Sequence, residues 1–553
     1  MVVRGLERVP ESIVRDSIGV RVGELLSDER LRADVAALIA TGWFADANIR
    51  VEPTREGVRV AFIVVENPIV NQIVFEGNTV IPSADLERAL NLPTGEVLNI
   101  LRLRDGTRAI EKLYEERGYV LARVVDIGIT SNGDVRLSLR ISEGRVEAVE
   151  YKGLNKTKRF VVDRGAIVRP RSLFNVNDLN RDLQRLVALD LFENVQARPR
   201  PGSTPDQVIV EIEVKENRTQ QARFGLGYSD QAGIVGLVEY SERNWKGRHQ
   251  SITLRVERGL GDRNLPNLTG PAASNFSLIF RDPWVDARQT AMEISLYQTT
   301  LSDLEFTGPT VTSRFYIERL GSAIGFTRSL NPQTALTLRL RSERALITPQ
   351  PLISTGPPCN PPPDPLCPAP VNFIPGRTVA VTLAAARDRR DNRLAPTKGD
   401  RIVLSADLGL PVLGGNFSFG KYSAEYSRYF RAGPGVLVGR ALLGFSHGSL
   451  PLQEQFFLGG PSTLRAYQVG RFRGNDVALV NLEYRMPLGG LARQLRDFTG
   501  IVFVDAGTAP ISAGIQTGYG IGVTVGTAVG PIRIDFAWGS AGQQTWLTIG
   551  QPF

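Results

Sequence analysis

The sequence predicts a multidomain chain in which three small α+β modules precede a large all-β transmembrane barrel of antiparallel strands. Three observations carry that prediction. Short glycine-terminated segments, Val3-Arg4-Gly5, Phe75-Glu76-Gly77 and Tyr151-Lys152-Gly153, open similar blocks, their glycines spaced by 72 and 76 residues. From about residue 218 onward, helical periodicity gives way to strand-like alternation. The chain contains no run of about 18 apolar residues, which a helical span would need, although barrel strands need only about 10 residues of alternating character.

Each block begins with a short strand and a turn and continues as helix. Apolar positions Leu31, Val35, Leu38 and Ile39 recur at helical spacing in the first block, Ile110, Leu113 and Tyr114 in the second, and Leu179, Leu183 and Leu186 in the third. Ser27 and Asn177 are N-cap candidates, and Gly42 and Gly118 fit left-handed C-terminal positions. Aromatic or apolar anchors follow at Trp43-Phe44, Tyr119 and Leu191-Phe192. Every block closes with period-two alternation: Val58, Val60, Phe62, Val64; Val135, Leu137, Leu139, Ile141; Val208, Val210, Ile212, Val214. The unit is therefore strand, helix, helix, strand, strand, with expected boundaries at 1–68, 69–146 and 147–217.

Residues 218–553 form the fourth expected domain. Leu336, Leu338 and Leu340 alternate with Thr337, Arg339 and Arg341; Ile402, Leu404 and Ala406 with Val403, Ser405 and Asp407; Ile532, Ile534 and Phe536 with Arg533, Asp535 and Ala537. One face suits lipid and the other a wet lumen. A soluble sandwich would also alternate, but 336 residues without a break and the terminal aromatic Phe553 favour the membrane barrel. At 21 residues per strand and connection the segment holds 16 strands, while 14 or 18 fit similar arithmetic. The Pro-dense stretch 354–373 is expected to be an exposed loop, and an oxidising compartment would join its Cys359 and Cys367, the only cysteines, in a disulfide.

Composition narrows the function classes. The net charge of +8 arises from scattered basic residues rather than long Lys/Arg runs, which argues against nucleic acid. Two histidines, His249 and His447, and two cysteines leave little for a metal site or a Cys-His catalytic pair, so no cofactor, metal or enzymatic activity is expected. Met1 is not followed by a basic region and an apolar core, so a signal peptide is not expected in the sequence as it stands.

With the layout established, several motifs resemble the BamA-like superfamily of outer-membrane protein assembly factors, in which POTRA modules precede a 16-stranded barrel. Leu458-Gly459-Gly460 followed by Leu464-Arg465-Ala466-Tyr467 resembles the signature of that family's sixth outer loop, with Ala466 standing where Gly is usual. Because Ala tolerates a positive φ poorly, the local backbone is the point this departure bears on. Phe503-Val504-Asp505-Ala506-Gly507 is similar to a family strand motif, and Glu483-Tyr484-Arg485 with Pro487 to the charged strand before it. Weaker echoes are Asn244-Trp245-Lys246-Gly247, Asp282-Pro283-Trp284, and Asp391-Asn392-Arg393 with Pro396-Thr397-Lys398-Gly399. The Pro-rich cysteine loop inclines the resemblance toward a cyanobacterial-type branch.

The resemblance implies that the loop folds into the lumen, where Arg465 would meet Asp505 with Glu483 as second partner. A weak closing seam is expected between the first strand, with Gly225 and Gly227, and the last, with Gly550, Pro552 and Phe553. It implies an outer-membrane location with the modules in the periplasm, or in the intermembrane space of a plastid homologue. Unfolded outer-membrane protein precursors, membrane lipids and accessory periplasmic proteins or lipoproteins are the implied partners, and assembly of those precursors the implied function. The rival reading is a polypeptide pore of the same superfamily, whether a two-partner secretion type, a translocation-and-assembly factor or a chloroplast envelope channel. Three modules without a preceding plug helix favour assembly.

Overall fold

The computed structural model describes the chain except residues 56, 133, 230–232, 260–273, 308–309, 351–373, 394, 491–496, 528–529 and 550–553. It comprises two compact units, Met1–Asn217 and Arg218–Phe553. Cys359, Cys367, Gly550, Pro552 and Phe553 lie outside the described residues. No described helix is long and apolar enough to cross a membrane.

The first unit contains the three repeats. In the first, strand Val2–Arg4 leads to helices Glu11–Ser17 and Asp28–Ala40 and strands Phe44–Thr54 and Gly57–Glu66. The second uses Gln72–Glu76, Ser83–Leu90, Ile100–Glu116, Arg123–Asn132 and Asp134–Ser142, and the third Arg145–Lys152, Arg159–Asp163, Val176–Ala188, Phe192–Pro201 and Gln207–Glu216. In every sheet the last strand is central, parallel to the first and antiparallel to the middle one.

The glycine that opens each block is sterically required. A Cβ at Gly5, Gly77 or Gly153 would lie 2.1, 2.2 or 2.0 Å from the carbonyl oxygen of Val64, Ile141 or Val214 in the central strand, and all three φ angles are positive. A glutamate at or just past the end of the central strand then fixes the loop that follows the glycine. Glu66 accepts from the amides of Glu7, Arg8 and Val9, Glu143 from Thr79 and Val80, and Glu216 from Lys156 and Thr157. Burial raises the Glu66 and Glu216 carboxyls, but these hydrogen bonds outweigh it and hold both below the usual glutamate value.

The helix faces differ from the expected ones at two points. Ile39 is exposed, and the position buried beside Leu31 and Leu38 is Asp34, whose carboxylate accepts from the amides of Gly19 and Val20. Asp182 repeats this in the third module with Ile167 and Val168, so a polar group sits inside because it satisfies loop amides. The N-cap of the last long helix is Asn175 rather than Asn177, its side chain accepting from the Asn177 amide. Ser27 does occupy the N-cap position of its helix, without a side-chain cap bond.

The modules join through one repeated contact. The Gly42 carbonyl accepts from the Ile100 amide while Asn99 Nδ2 donates to Thr41 O; the Gly118 carbonyl accepts from Val176 while Asn175 Nδ2 donates to Arg117 O. A Cβ at Gly118 would meet Asn175 Oδ1 at 2.5 Å, so glycine is needed where another module docks. The third module, with no module after it, carries Asp190 at the corresponding left-handed position.

The second unit is a 16-stranded antiparallel sheet in which each strand pairs with the next barrel strand in sequence. It forms the barrel. Its first strand is Gln220–Ser229 and its last Gly542–Ile549; they approach each other, but among the described residues no ladder joins them. The alternation reads out as two faces. Leu336, Leu338, Leu383 and Leu404 are exposed on the outer wall, whereas Arg533, Asp535 and Ala537 are buried on the inner one. Lys246, at a positive φ, lies in the turn after the second strand (Gly233–Trp245), and Asp391 accepts from the hydroxyl and amide of Thr397.

Candidate functional site

The eleventh strand (Gly435–Gly448) and the twelfth (Asp476–Pro487) are joined by a long loop that carries its own hairpin, Phe456–Leu458 with Phe472–Gly474. At the hairpin tip Gly459 and Gly460 take positive φ, and a Cβ on Gly459 would lie 2.0 Å from the Gln468 carbonyl. The tight turn closes by Gly460 N donating to Tyr467 O and by Thr463 Oγ1 donating to Gly459 O. This geometry presents Leu464, Arg465, Ala466 and Tyr467, all buried.

Arg465 is 0% exposed and its guanidinium is fully engaged. Nε and Nη2 fork onto the two oxygens of Asp505 at 2.8 and 2.6 Å, Nη1 reaches Glu483 at 2.7 Å, and the backbone amide also donates to Asp505 at 3.1 Å. The planar fork suits two carboxylates as an ammonium would not. Its plane lies over Phe503 with Cζ 3.4 Å from the ring centroid. Asp505 and Phe503 are on the thirteenth strand (Phe498–Thr508), registered against Asn481 and Glu483 of the twelfth, so period two points all of them inward. Arg485 donates to Glu483 at 2.6 Å, and Gly507 packs near Leu458 of the loop.

Several partners carry no motif. Arg533 of the fifteenth strand (Gly530–Gly539) donates bidentately to Glu483 at 3.0 and 2.9 Å and to Asp535 at 2.7 Å. Three guanidiniums, Arg465, Arg485 and Arg533, thus share three carboxylates, Glu483, Asp505 and Asp535, and the buried cluster is neutral. Asn481 Nδ2 bridges Thr463 O and Asp505 Oδ1. In the last strand, the Trp546 indole donates to the Arg465 carbonyl at 2.6 Å, which ties the loop to the strand at the seam.

Ala466 resolves its own departure from the motif. Its φ is not positive, and its methyl fits because the facing residues are glycines: a Cβ at Gly518 or Gly539 would come within 2.6 or 2.7 Å of it. Gly518, Gly520 and Gly522 alternate on the inner face of the fourteenth strand (Gln516–Thr527), clearing a bed for the loop and for Phe503 and Asp535. That period-two glycine run was the available signal for this wall. Tyr467 completes the docking by bonding Thr517 O at 3.1 Å and Ser540 Oγ at 2.9 Å.

A second anchor carries no sequence motif. The limb leading into the hairpin places Glu454 on Arg341 of the seventh strand (Thr334–Gln350), both oxygens paired at 2.8 Å. Lys421 donates to Glu454 O and Arg319 to Gln453 O, so the sixth (Thr310–Asn331), seventh and tenth (Phe419–Ala432) strands hold this limb. The loop is therefore pinned at two separated patches of the inner wall. Gly225 and Gly227 lie on the first strand, paired with Leu237 and Val235.

The chain is similar to known proteins along most of its length. Residues 244–553 match the Omp85 superfamily domain, and residues 1–67, 68–144 and 145–217 each match the POTRA repeat, described as a surface antigen variable number repeat. It is 24% identical to the chloroplastic outer envelope protein 80 of Arabidopsis thaliana over 94% of this chain and 71% of that protein. It is 25% identical to the outer membrane protein assembly factor BamA of Nitratidesulfovibrio vulgaris, over 87% of this chain and 62% of that protein. Among solved structures, BamA from Haemophilus ducreyi lacking POTRA domains 1–3 superposes with a TM-score of 0.64 at 16% identity, covering 88% of this chain and all of that one. Three POTRA repeats followed by a 16-stranded barrel whose family domain spans more than half of the sequence make this chain a member of the Omp85 superfamily of outer-membrane β-barrel proteins.

Proposed function

We propose that the chain captures unfolded outer-membrane protein precursors through its POTRA repeats in the periplasm and folds and inserts them at the barrel seam. The observation that carries this reading is the first and last barrel strands approaching without a ladder among the described residues, beside a loop that grips the last strand through Trp546. Unpaired strand edges add a strand from another chain readily, because each exposes a row of N–H and C=O groups. The outer wall next to the first strand also holds a groove of about 500 Å³ lined by Phe224, Val238 and Val256 around Gly225 and Gly236, where an apolar client face has room.

Capture has a physical route in the repeats. The middle strand of each module is a sheet edge, and in the second module it exposes Val125, Ile127 and Ile129. A client strand added there gains main-chain hydrogen bonds with little sequence selectivity, which suits many clients. One relative is an outer membrane protein assembly factor, which supports this reading. The plastid relative fits a cyanobacterial-type branch of the family.

Depleting the protein and quantifying the outer-membrane proteome tests the function. General loss of barrel proteins is expected. Loss of one exported polypeptide, with the barrel proteins at normal level, would overturn assembly in favour of a dedicated secretion pore. A disulfide engineered between the first and last strands should abolish assembly, and retained activity would exclude opening of the seam.

A further inference from the structure

We infer that the outer wall of the barrel carries a binding site for one anionic membrane lipid, at the end where the first strand begins. The site has an apolar groove and a cationic rim, both fixed by the strand register. The groove, of about 590 Å³, lies across the sixth to ninth strands, the last two being Gly376–Asp388 and Gly399–Gly409. That volume is in the range of roughly 300–1,000 Å³ typical of small-molecule sites. Two rows of paired residues build it. Arg328, Leu336, Ala385 and Leu404 are successive ladder partners, as are Phe326, Leu338, Leu383 and Ala406. Where the outward residue is Ala385 or Ala406 the wall is recessed between leucines, giving an acyl chain a trough instead of a flat surface.

The rim lies one step further along the same face. Arg387 is two residues beyond Ala385, about 7 Å along the strand, and pairs with Ile402. Next to it Asp400, 2% exposed, is paired in register with Arg428 of the tenth strand. Its carboxylate gathers three guanidiniums: Arg389 at 2.8 Å, Arg428 at 3.4 Å and Arg387 at 3.6 Å. The cluster keeps an excess of two positive charges, while its arginines stay about half exposed. Arg328 brings a fourth guanidinium to the edge of the groove. Aspartate holding arginines in a fixed array, open toward solvent and directly above an acyl-sized trough, matches a lipid with a phosphate or similar anionic headgroup. A zwitterionic lipid would fill the trough without satisfying the excess charge.

The test uses the full-length chain in non-ionic detergent and native mass spectrometry. The probes are phosphatidylglycerol, phosphatidylcholine with identical acyl chains, and inorganic phosphate. One phosphatidylglycerol should be retained under conditions that strip phosphatidylcholine, and raised salt should weaken only the former. In Arg387→Gln/Arg428→Gln, retention should fall by at least about tenfold, given the typical contribution of each interfacial cation. Ala385→Trp, which fills the trough with the charges intact, should lower it similarly. Heat-modifiable electrophoretic mobility reports whether each variant is folded, and the salt titration needs no variant. Equal retention of both lipids, salt-insensitive retention, or unchanged binding in the folded charge variant would overturn the site. Displacement of the lipid by inorganic phosphate alone would show a free-anion site instead and equally overturn it.

Discussion

Arg465→Ala removes the guanidinium that holds the lumen loop, and its cost follows from what is left behind. The neutral cluster becomes two guanidiniums against three carboxylates at positions that are essentially unexposed. Glu483 keeps Arg533 and Arg485, but Asp505 loses both prongs of its fork and retains Asn481 and one backbone amide. Removing one partner of a buried ion pair costs about 3–5 kcal/mol, and the support remaining to Glu483 places this case near the lower end. Undocking of the loop, which rehydrates Asp505, is the cheaper response. Arg465→Lys should lose less, because an ammonium keeps the charge but cannot reach both carboxylates with one fork. In the double variant Arg465→Ala/Asp505→Ala charge balance returns, so its cost should fall short of the sum of the singles by about 2 kcal/mol. Denaturant midpoints of the folded barrel give the cycle, and hydrogen exchange over residues 459–474 reports undocking. Strict additivity, or unchanged exchange in that segment in Arg465→Ala, would refute the reasoning. If the proposed function holds, the same variant lowers the levels of other outer-membrane proteins although the barrel itself inserts.

Three further outcomes are expected. Glu454→Gln replaces the charged pair with Arg341 by a weaker contact worth about 2 kcal/mol less, so the loop limb should release while Arg465 still holds the tip. Larger and more frequent openings in planar-bilayer recordings are the readout. Trp546→Phe deletes the indole bond to the Arg465 carbonyl, at about 1 kcal/mol, and faster amide exchange should be confined to the last strand and the loop. In the POTRA repeats, the lowered carboxyls of Glu66 and Glu216 stabilise their loops fully above the ordinary glutamate value and progressively less as pH falls through the lower folded value. Protection of the amides at Glu7, Arg8, Val9, Lys156 and Thr157 should therefore be lost on acidification below about pH 4, whereas Glu66→Gln should show weaker protection already at neutral pH.

The repeat and the alternation were legible in the sequence because they express local requirements. A glycine is demanded wherever a Cβ would strike the next strand's carbonyl, as at Gly5, Gly77 and Gly153. Period two follows from a wall with lipid on one side and polar groups on the other, whereas the contact of Arg465 with Asp505 was implied by the resemblance of their two motifs to those of a known family. The tertiary structure decided what local pattern does not encode. Arg533 and Asp535 read as ordinary lumen-facing alternates, and only the curvature of the wall places Arg533 on Glu483, with Asp535 as its second partner. Glu454 and Arg341 are separated by 113 residues and carry no motif, yet the loop's path brings them together. The burial of Asp34 has no local signature because it depends on amides 15 and 14 residues away. Similarly, Ala466 could be judged only with Gly518 and Gly539 in view, since a residue's tolerated volume is set by what faces it across space.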